Sequence, residues 1–252
     1  MSNTRLDGKI ALVTGGGGGI GEALVVRLAA RGAHVVVADV DLDRAAEVAA
    51  AVDGSASSFD VADRAAWDLA VADLVAEHGG LDLVALNAGV MSRPKGVDMA
   101  GDDPLEWMAR RYDLVRSVNL DGVAYGVMAT VPHLAAGGGG AISVTSSMAG
   151  LVAQPEDPVY SMTKHGVIGL VRSLGSTLAA RGIMIGTVCP AGVDTSMVPP
   201  DFRAAGYSFA PPDHVAGALE TILDSPVGDA GVVWVTMSVD EPIWRYEFAP
   251  LR

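Results

Sequence analysis

Cysteine is nearly missing from this chain: its 252 residues hold one, Cys189. A single thiol excludes an internal disulfide and fits a reducing compartment, so the expected location is the cytoplasm. Cations are scarce too. Seventeen Lys and Arg face 30 Asp and Glu, for a net charge of −13. That balance argues against nucleic acid and anionic membrane surfaces as partners, because both reward clustered Lys and Arg. No stretch reaches the roughly 18 uninterrupted apolar residues of a membrane helix, and Met1 to Asp7 has no apolar signal core. No metal site is expected. What remains is a chain with half its residues hydrophobic, enough to bury the core of one α/β domain over 1–252.

The stretch from Lys9 to Asp39 organises the rest. Lys9 to Thr14 is a short apolar run of the kind a buried parallel strand shows, and it empties into five glycines, Gly15 to Gly19, then Ile20 and Gly21. Glu22 to Ala30 reads as a helix stopped at Gly32, and His34 to Ala38 as a second strand ending on Asp39. Glycines at a strand-to-helix turn let the backbone approach a pyrophosphate, whose charge the helix N-terminus receives. Asp39 lies about 20 residues on, where a carboxylate accepts hydrogen bonds from the adenosine ribose hydroxyls and repels a 2′-phosphate. Neither the loop nor Val40 supplies a cation for such a phosphate, so NAD is expected rather than NADP. A second run, Gly137 to Gly140, has the opposite polarity, helix before and strand after, and reads as a helix stop.

Strand and helix patterns then alternate. Helices are expected over Arg44 to Val52, Ala65 to His78, Pro104 to Ala136 and about Val159 to Arg181. Strands are expected over Ser55 to Phe59, Leu81 to Leu86, Ala141 to Thr145, Ile183 to Val188 and Val232 to Thr236. Met91 to Asp103 and 196–212 read as loops, with Asp213 as cap of a helix to Leu223. The alternation implies a single-domain, Rossmann-type, doubly wound parallel sheet of about seven strands with helices on both faces. Asp60 either binds an adenine amino group or caps the next helix. Asn119 falls inside a helical pattern that disfavours it and so requires a reason.

In such a sheet, ligands lie at the carboxyl ends of the strands. That directs attention to Asn87 to Gly89, Ser146 and Ser147, and Pro190 to Thr195. Tyr160 and Lys164 stand four apart on the helix after the fifth strand, so the ammonium and the phenol share a face. With five Tyr and three Lys in the chain, such a pair is expected by chance only roughly 0.06 times. A phenol with an ordinary pKa near 10 needs a nearby positive charge to act as a base near neutrality.

These residues together resemble the short-chain dehydrogenase/reductase family. The resemblance runs from Lys9 to about Leu223. The family's cofactor turn matches Thr14, Gly15, Gly19, Ile20 and Gly21. Asp39 matches its NAD-selecting position, Asp60 and Val61 its adenine-binding pair, and Asn87, Ala88 and Gly89 its strand-four motif. The catalytic tetrad carries over as Asn119, Ser147, Tyr160 and Lys164. Ser147 is preferred to Ser146 because it stands thirteen residues before Tyr160, the family's common spacing. The resemblance implies Tyr160 as proton acceptor or donor, Ser147 on the substrate oxygen, Lys164 on the nicotinamide ribose, and Asn119 holding a water beside Lys164. Pro190, Val193 and Thr195 would contact the nicotinamide. Two departures stand out: Ala191 where the family has glycine, and a divergent tail over about 237–252 with Trp244, Tyr246 and Phe248.

The expected function is NAD-dependent interconversion of a secondary alcohol and its ketone. A mostly apolar rim, from Met91, Met148, Val152, Gln154, Met197, Phe202, Tyr207 and Phe209, suggests an apolar small molecule. The alternatives are an NADH-dependent carbonyl reductase in biosynthesis and a non-catalytic dinucleotide-binding sensor. The family's habit implies a homo-oligomer, tetramer or dimer. The tail is expected to shape the substrate pocket or a subunit contact.

Overall fold

Parallel strands covered on both faces have no polar side to offer, and the central strands of this protein are largely apolar, with Thr14, Ser143, Thr145 and Thr187 buried among the hydrophobic residues. The computed structural model describes residues 6–98, 101 and 103–249. The reading of Met1 to Arg5, of Met99, Ala100 and Asp102 in the expected loop, and of 250–252 in the tail lies outside the described residues. Strands β1 (Ile10–Thr14), β2 (His34–Asp39), β3 (Ser55–Ser58), β4 (Leu83–Leu86), β5 (Gly140–Thr145), β6 (Ile183–Pro190), β7 (Val232–Thr236) and β8 (Trp244–Arg245) form one sheet in the order β3-β2-β1-β4-β5-β6-β7-β8. Every pairing is parallel except β7 with β8.

One face of the sheet is covered by α1 (Gly19–Ala30), α2 (Leu42–Ala51) and α8 (Pro212–Leu223), which bury Leu24, Leu28, Val48, Leu219 and Ile222 against Val13 and Val37. The other face carries α3 (Arg64–His78), α5 (Gly122–Ala136) and α6 (Pro158–Ala179), with Trp67, Val127, Leu134 and Val171 packed on Leu12, Val84 and Ile185. Strand order reverses at β1, whose neighbours are β2 and β4. The crevice for a ligand therefore opens at the carboxyl ends of these strands.

Four local features depart from the sequence reading. The helix expected from Pro104 to Ala136 is two helices, α4 (Pro104–Arg116) and α5, joined by one π-helical turn over Ser117–Asp121. The loop expected over 196–212 contains α7 (Pro200–Ala204). Asp213 does not cap α8. Pro211 and Pro212 start that helix, and Asp213 lies in its first turn, paired with Arg27 at 3.0 Å. The eighth strand comes from the tail: Trp244 and Arg245 pair antiparallel with Val235 and Trp234. Two residues are too short a run to show a period of two in sequence. Among the described residues no helix is long and apolar enough to cross a membrane.

Candidate active site

A cleft of about 1570 Å³ runs along the carboxyl ends of the strands. Single-ligand pockets typically span about 300–1,000 Å³, so this one has room for a dinucleotide and a second small molecule.

Its first wall is the glycine turn. Gly15 and Gly19 have φ of +63° and +56°, the left-handed region that glycine enters without penalty. A Cβ on Gly15 would stand 2.9 Å from the Ala88 Cα, and one on Gly21 would stand 2.1 Å from the Gly15 carbonyl oxygen. Only bare backbone fits such a turn. Helix α1 follows with no side chain capping its N-terminus, leaving first-turn amides and the positive end of the dipole for an anion. Gly15, Gly19 and Ile20 line the cleft, and Gly21 lies directly behind Gly15.

Asp39 sits at the end of β2 on the cleft wall, one oxygen accepting from the Gly17 amide at 3.0 Å and the other from the Asp41 amide at 3.1 Å. A carboxylate offers about four acceptor positions, so capacity for ribose hydroxyls remains. Arg44, which the sequence reading passed over, also lines the cleft. Its Nε donates to the Gly17 carbonyl at 3.2 Å, and its charge is met by Glu47 and by Glu22 at 3.6 Å. Asp60 and Val61 line the cleft. The capping role goes instead to Asp63, which accepts from the Ala65 and Ala66 amides, while Asp60 accepts from the Ala62 amide at 2.9 Å. Asn87 ties the floor together, its Nδ2 donating to the Thr14 and Gly15 carbonyls and its Oδ1 accepting from the Thr145 hydroxyl at 2.9 Å. Ala88 and Gly89 continue that floor.

Ser147, Tyr160 and Lys164 converge on the middle of the cleft. Ser147 stands close enough to Tyr160 to lower its phenol, and caps a short turn over Met148–Gly150, its Oγ accepting from the Ala149 amide at 3.1 Å. Ser146 also borders the cleft but is buried, its hydroxyl donating to the Lys164 carbonyl at 3.1 Å, so of the two the Ser147 hydroxyl is the one less committed to the backbone. The Lys164 ammonium stands 5.5 Å from the Tyr160 ring centroid and donates to the Thr145 carbonyl at 2.9 Å. Asn119 is fully buried one layer back. Its side chain accepts from the Val90 amide and donates to the Val90 carbonyl, both at 2.8 Å, and donates to the Thr163 hydroxyl at 3.3 Å. The π-helical turn places Asn119 beside that loop, which is the reason the sequence pattern lacked. Both amide hydrogens are used within the protein, so a water held by this side chain is left one acceptor position on Oδ1.

The electrostatics of the protein alone push Tyr160 and Lys164 toward neutrality. Although Tyr160 keeps part of its surface open to the cleft, burial pushes its phenol up to about 12, opposed by the nearby Ser147 and reinforced by the negative charge of Asp157. Burial likewise pulls the Lys164 ammonium down to about 8 and pushes the Cys189 thiol up to about 12. Desolvation acts against both charged forms at once. The protein by itself therefore holds Tyr160 as a neutral phenol.

On the far side, Pro190, Val193 and Thr195 line the cleft. Ala191, where glycine is usual, extends the β6–β7 pairing through its amide to the Thr236 carbonyl at 2.9 Å. The close approach falls one residue later: a Cβ on Gly192 would stand 2.7 Å from Phe209. Of the expected rim, Met91, Met148, Gln154, Met197, Phe202 and Phe209 line the cleft, whereas Val152 and Tyr207 do not. Both are exposed, and Tyr207 packs on the Phe202 ring with centroids 5.4 Å apart. The tail aromatics do not line it either. Phe248 packs behind the site near Cys189, Val233 and Val235, with the Arg172 guanidinium 3.5 Å above its ring centroid.

The sequence reading also missed Asp157, a fully buried carboxylate that caps α6. Asp157-Pro158 was a readable signal, since Asp favours the cap position and Pro the one after it.

Known proteins resemble this chain along most of its length. The family described as short chain dehydrogenase matches residues 9–205. An uncharacterized oxidoreductase of Mycobacterium tuberculosis is 35% identical, over 92% of this chain and 90% of its own. Cyclohexanol dehydrogenase of an Acinetobacter species is also 35% identical, over 79% of this chain and 78% of its own. The crystal structure of levodione reductase superposes with a TM-score of 0.82 at 26% identity, covering 93% of this chain and 97% of the other.

Proposed function

The chain belongs to the short-chain dehydrogenase family, and from that premise we propose that it is an NAD-dependent oxidoreductase interconverting an apolar secondary alcohol and its ketone. The observation that carries the reading is the convergence of Ser147, Tyr160 and Lys164 in one cleft with the glycine turn and Asp39.

Family members use nicotinamide dinucleotides, and the residues present fit one. Gly15, Gly19, Ile20 and Gly21 would hold the pyrophosphate, Asp39 the adenosine ribose, Asp60 and Val61 the adenine. Asn87 to Gly89, with Pro190, Val193 and Thr195, would surround the nicotinamide half. Asp39 favours NAD, because its charge opposes a 2′-phosphate and the nearby Arg44 is already engaged by Glu22 and Glu47. When bound, the dinucleotide supplies hydride acceptance or donation and, oxidised, a positive ring.

Tyr160 takes the hydroxyl proton during oxidation and returns it to the carbonyl oxygen during reduction. Ser147 donates to that same oxygen and fixes its distance from the phenol. Lys164, anchored on the Thr145 carbonyl, would hold the nicotinamide ribose and, when charged, favour the phenolate. With its ammonium brought to about 8, it exchanges protons near neutrality. Asn119 holds Val90 in place and offers its free lone pair to a water beside Lys164.

Met91, Met148, Met197, Phe202 and Phe209 make the substrate end apolar, which suits a ring-bearing alcohol of the kind named for the Acinetobacter relative. We further propose one domain over 1–252, a homo-oligomer, tetramer or dimer, and a cytoplasmic location consistent with the single reduced thiol. The test is steady-state turnover of secondary alcohols, cyclohexanol included, with NAD and with NADP. NAD should be preferred by about a hundredfold or more in kcat/KM. A preference for NADP, or no turnover across the panel, would reject the assignment.

A further inference from the structure

The loop after β4 supplies Met91 to the substrate end of the cleft, and it is held at the residues on either side of Met91. Val90 is bound in both directions by Asn119, as described above. Ser92 donates twice to Asp157: its amide to Oδ2 at 2.8 Å and its hydroxyl to Oδ1 at 2.6 Å. The same Oδ1 accepts from the Tyr160 amide at 3.1 Å. Asp157 is fully buried and lies three residues before Tyr160 at the start of α6. One carboxylate thus joins the helix that presents the phenol to the loop that presents the substrate wall.

We infer that Asp157 is a positioning residue for this reaction, fixing the distance between the Tyr160 hydroxyl and the substrate wall at Met91. The inference rests on the proposed alcohol–ketone chemistry. An N-cap alone needs one acceptor oxygen, whereas here three hydrogen bonds use both oxygens and reach across 65 residues to Ser92. The neighbouring side chain continues the clamp: Arg93 is buried, donates to the Glu156 carbonyl at 3.2 Å and stacks over the Trp107 ring at 5.0 Å.

Asp157 also acts on the phenol by charge. Tyr160 is faced by Lys164 one turn along its helix, Asp157 at the helix cap, Ser147 after β5 and Cys189 on β6. Of these, Asp157 and Cys189 oppose phenolate formation. Neutralising Asp157 should ease proton loss from Tyr160.

The test uses the full-length protein with Ser92→Ala, Asp157→Ser and Asp157→Asn. Ser92→Ala keeps the helix cap and removes one loop tether. Asp157→Ser keeps a cap but is too short to reach Ser92. Both should raise KM for the alcohol by about tenfold while leaving KM for NAD within about twofold, since sub-ångström placement governs such rates. Both should also speed tryptic cleavage after the exposed Lys95, a readout independent of turnover. Asp157→Asn keeps an acceptor for the cap and should move the acidic limb of the oxidation pH profile to lower pH. Wild-type cleavage rates and an unmoved alcohol KM in Ser92→Ala and Asp157→Ser, or an unmoved pH profile in Asp157→Asn, would overturn the inference. Should the wild type turn over no alcohol, the functional proposal fails, while the cleavage rates still decide whether Asp157 holds the loop.

Discussion

Tyr160 and Lys164 are each pushed toward neutrality by burial, one up to about 12 and the other down to about 8. A phenol that is neutral at rest carries the proton that reduction needs, and must first lose it, helped by nearby positive charge, before it can accept one in oxidation. Alcohol oxidation should therefore speed up as pH rises, and ketone reduction should speed up as it falls. Parallel pH–rate profiles in the two directions would rule out Tyr160 as the exchanging group. Tyr160→Phe should lower kcat by about 10³-fold, within the usual range for a lost general acid–base group, with dinucleotide affinity unchanged by calorimetry.

Cys189 gives a residue-scale prediction about stability. Its thiol is raised from 9.0 to about 12 in the folded chain. The folded state therefore keeps a proton that the unfolded state releases above pH 9. The resulting contribution is complete below that pH and is lost as pH climbs through about 12. Urea denaturation should show the wild type losing on the order of 1–2 kcal/mol against Cys189→Ala between pH 8 and 10.5. A constant difference between the two proteins would contradict the burial of the thiol.

At the scale of elements, the glycine turn is the most exacting piece of backbone in the cleft. A methyl group on Gly21 has the Gly15 carbonyl oxygen only 2.1 Å away, and a backbone atom there has no rotamer to relieve the clash. Gly21→Ala should abolish dinucleotide binding, measured by calorimetry, before it unfolds the protein. Wild-type affinity would show that the turn does not seat a pyrophosphate. This turn was legible in sequence because strand, glycines and helix follow one another in twenty-odd residues. Tyr160 and Lys164 were legible for the same reason, as neighbours on one helical face. The π-helical turn at Asn119 was not, since helical periodicity hardly changes across five residues. The clamp of Ser92 by Asp157 was equally hidden, because its two halves lie far apart in the chain and meet only through the β4–β5 pairing. Arg44 escaped notice for a similar reason: its path back to Gly17 depends on how α2 packs, not on the residues beside Asp39.

For the molecule as a whole, the two ends of the described chain are tied to the site by different means. Helix α1, which starts at the glycine turn, is bound to α8 by Arg27 and Arg31, which share Glu220 at 2.6 and 2.7 Å. Glu220 is 8% exposed, but Arg27 and Arg31 keep Asp213 and Asp224 as partners when it is removed, so what is lost is two charge-assisted hydrogen bonds between the helices. Glu220→Ala should cost about 1–2 kcal/mol and lower Tm by a few degrees. An unchanged Tm would show that the helices are held by their apolar contacts alone. The tail acts from the opposite edge, adding β8 to β7 and laying Phe248 behind Cys189. It had been expected to shape the substrate pocket or a subunit contact. The first does not hold, because Trp244, Tyr246 and Phe248 do not line the cleft and Phe248 packs behind it, while the exposed Trp244 and Tyr246 leave the subunit contact as a proposal. The doubly wound sheet itself followed from the alternation of apolar runs and helical patterns, which depends on no contact beyond each element's own.

The most direct test is transfer of deuterium from a carbinol-deuterated secondary alcohol to NAD, followed by mass spectrometry of the recovered dinucleotide. Labelled NADH should form with the wild type and not with Tyr160→Phe, although both bind NAD. Label appearing equally with Tyr160→Phe, or no label from a wild type that binds NAD and is offered the whole alcohol panel, would contradict the account.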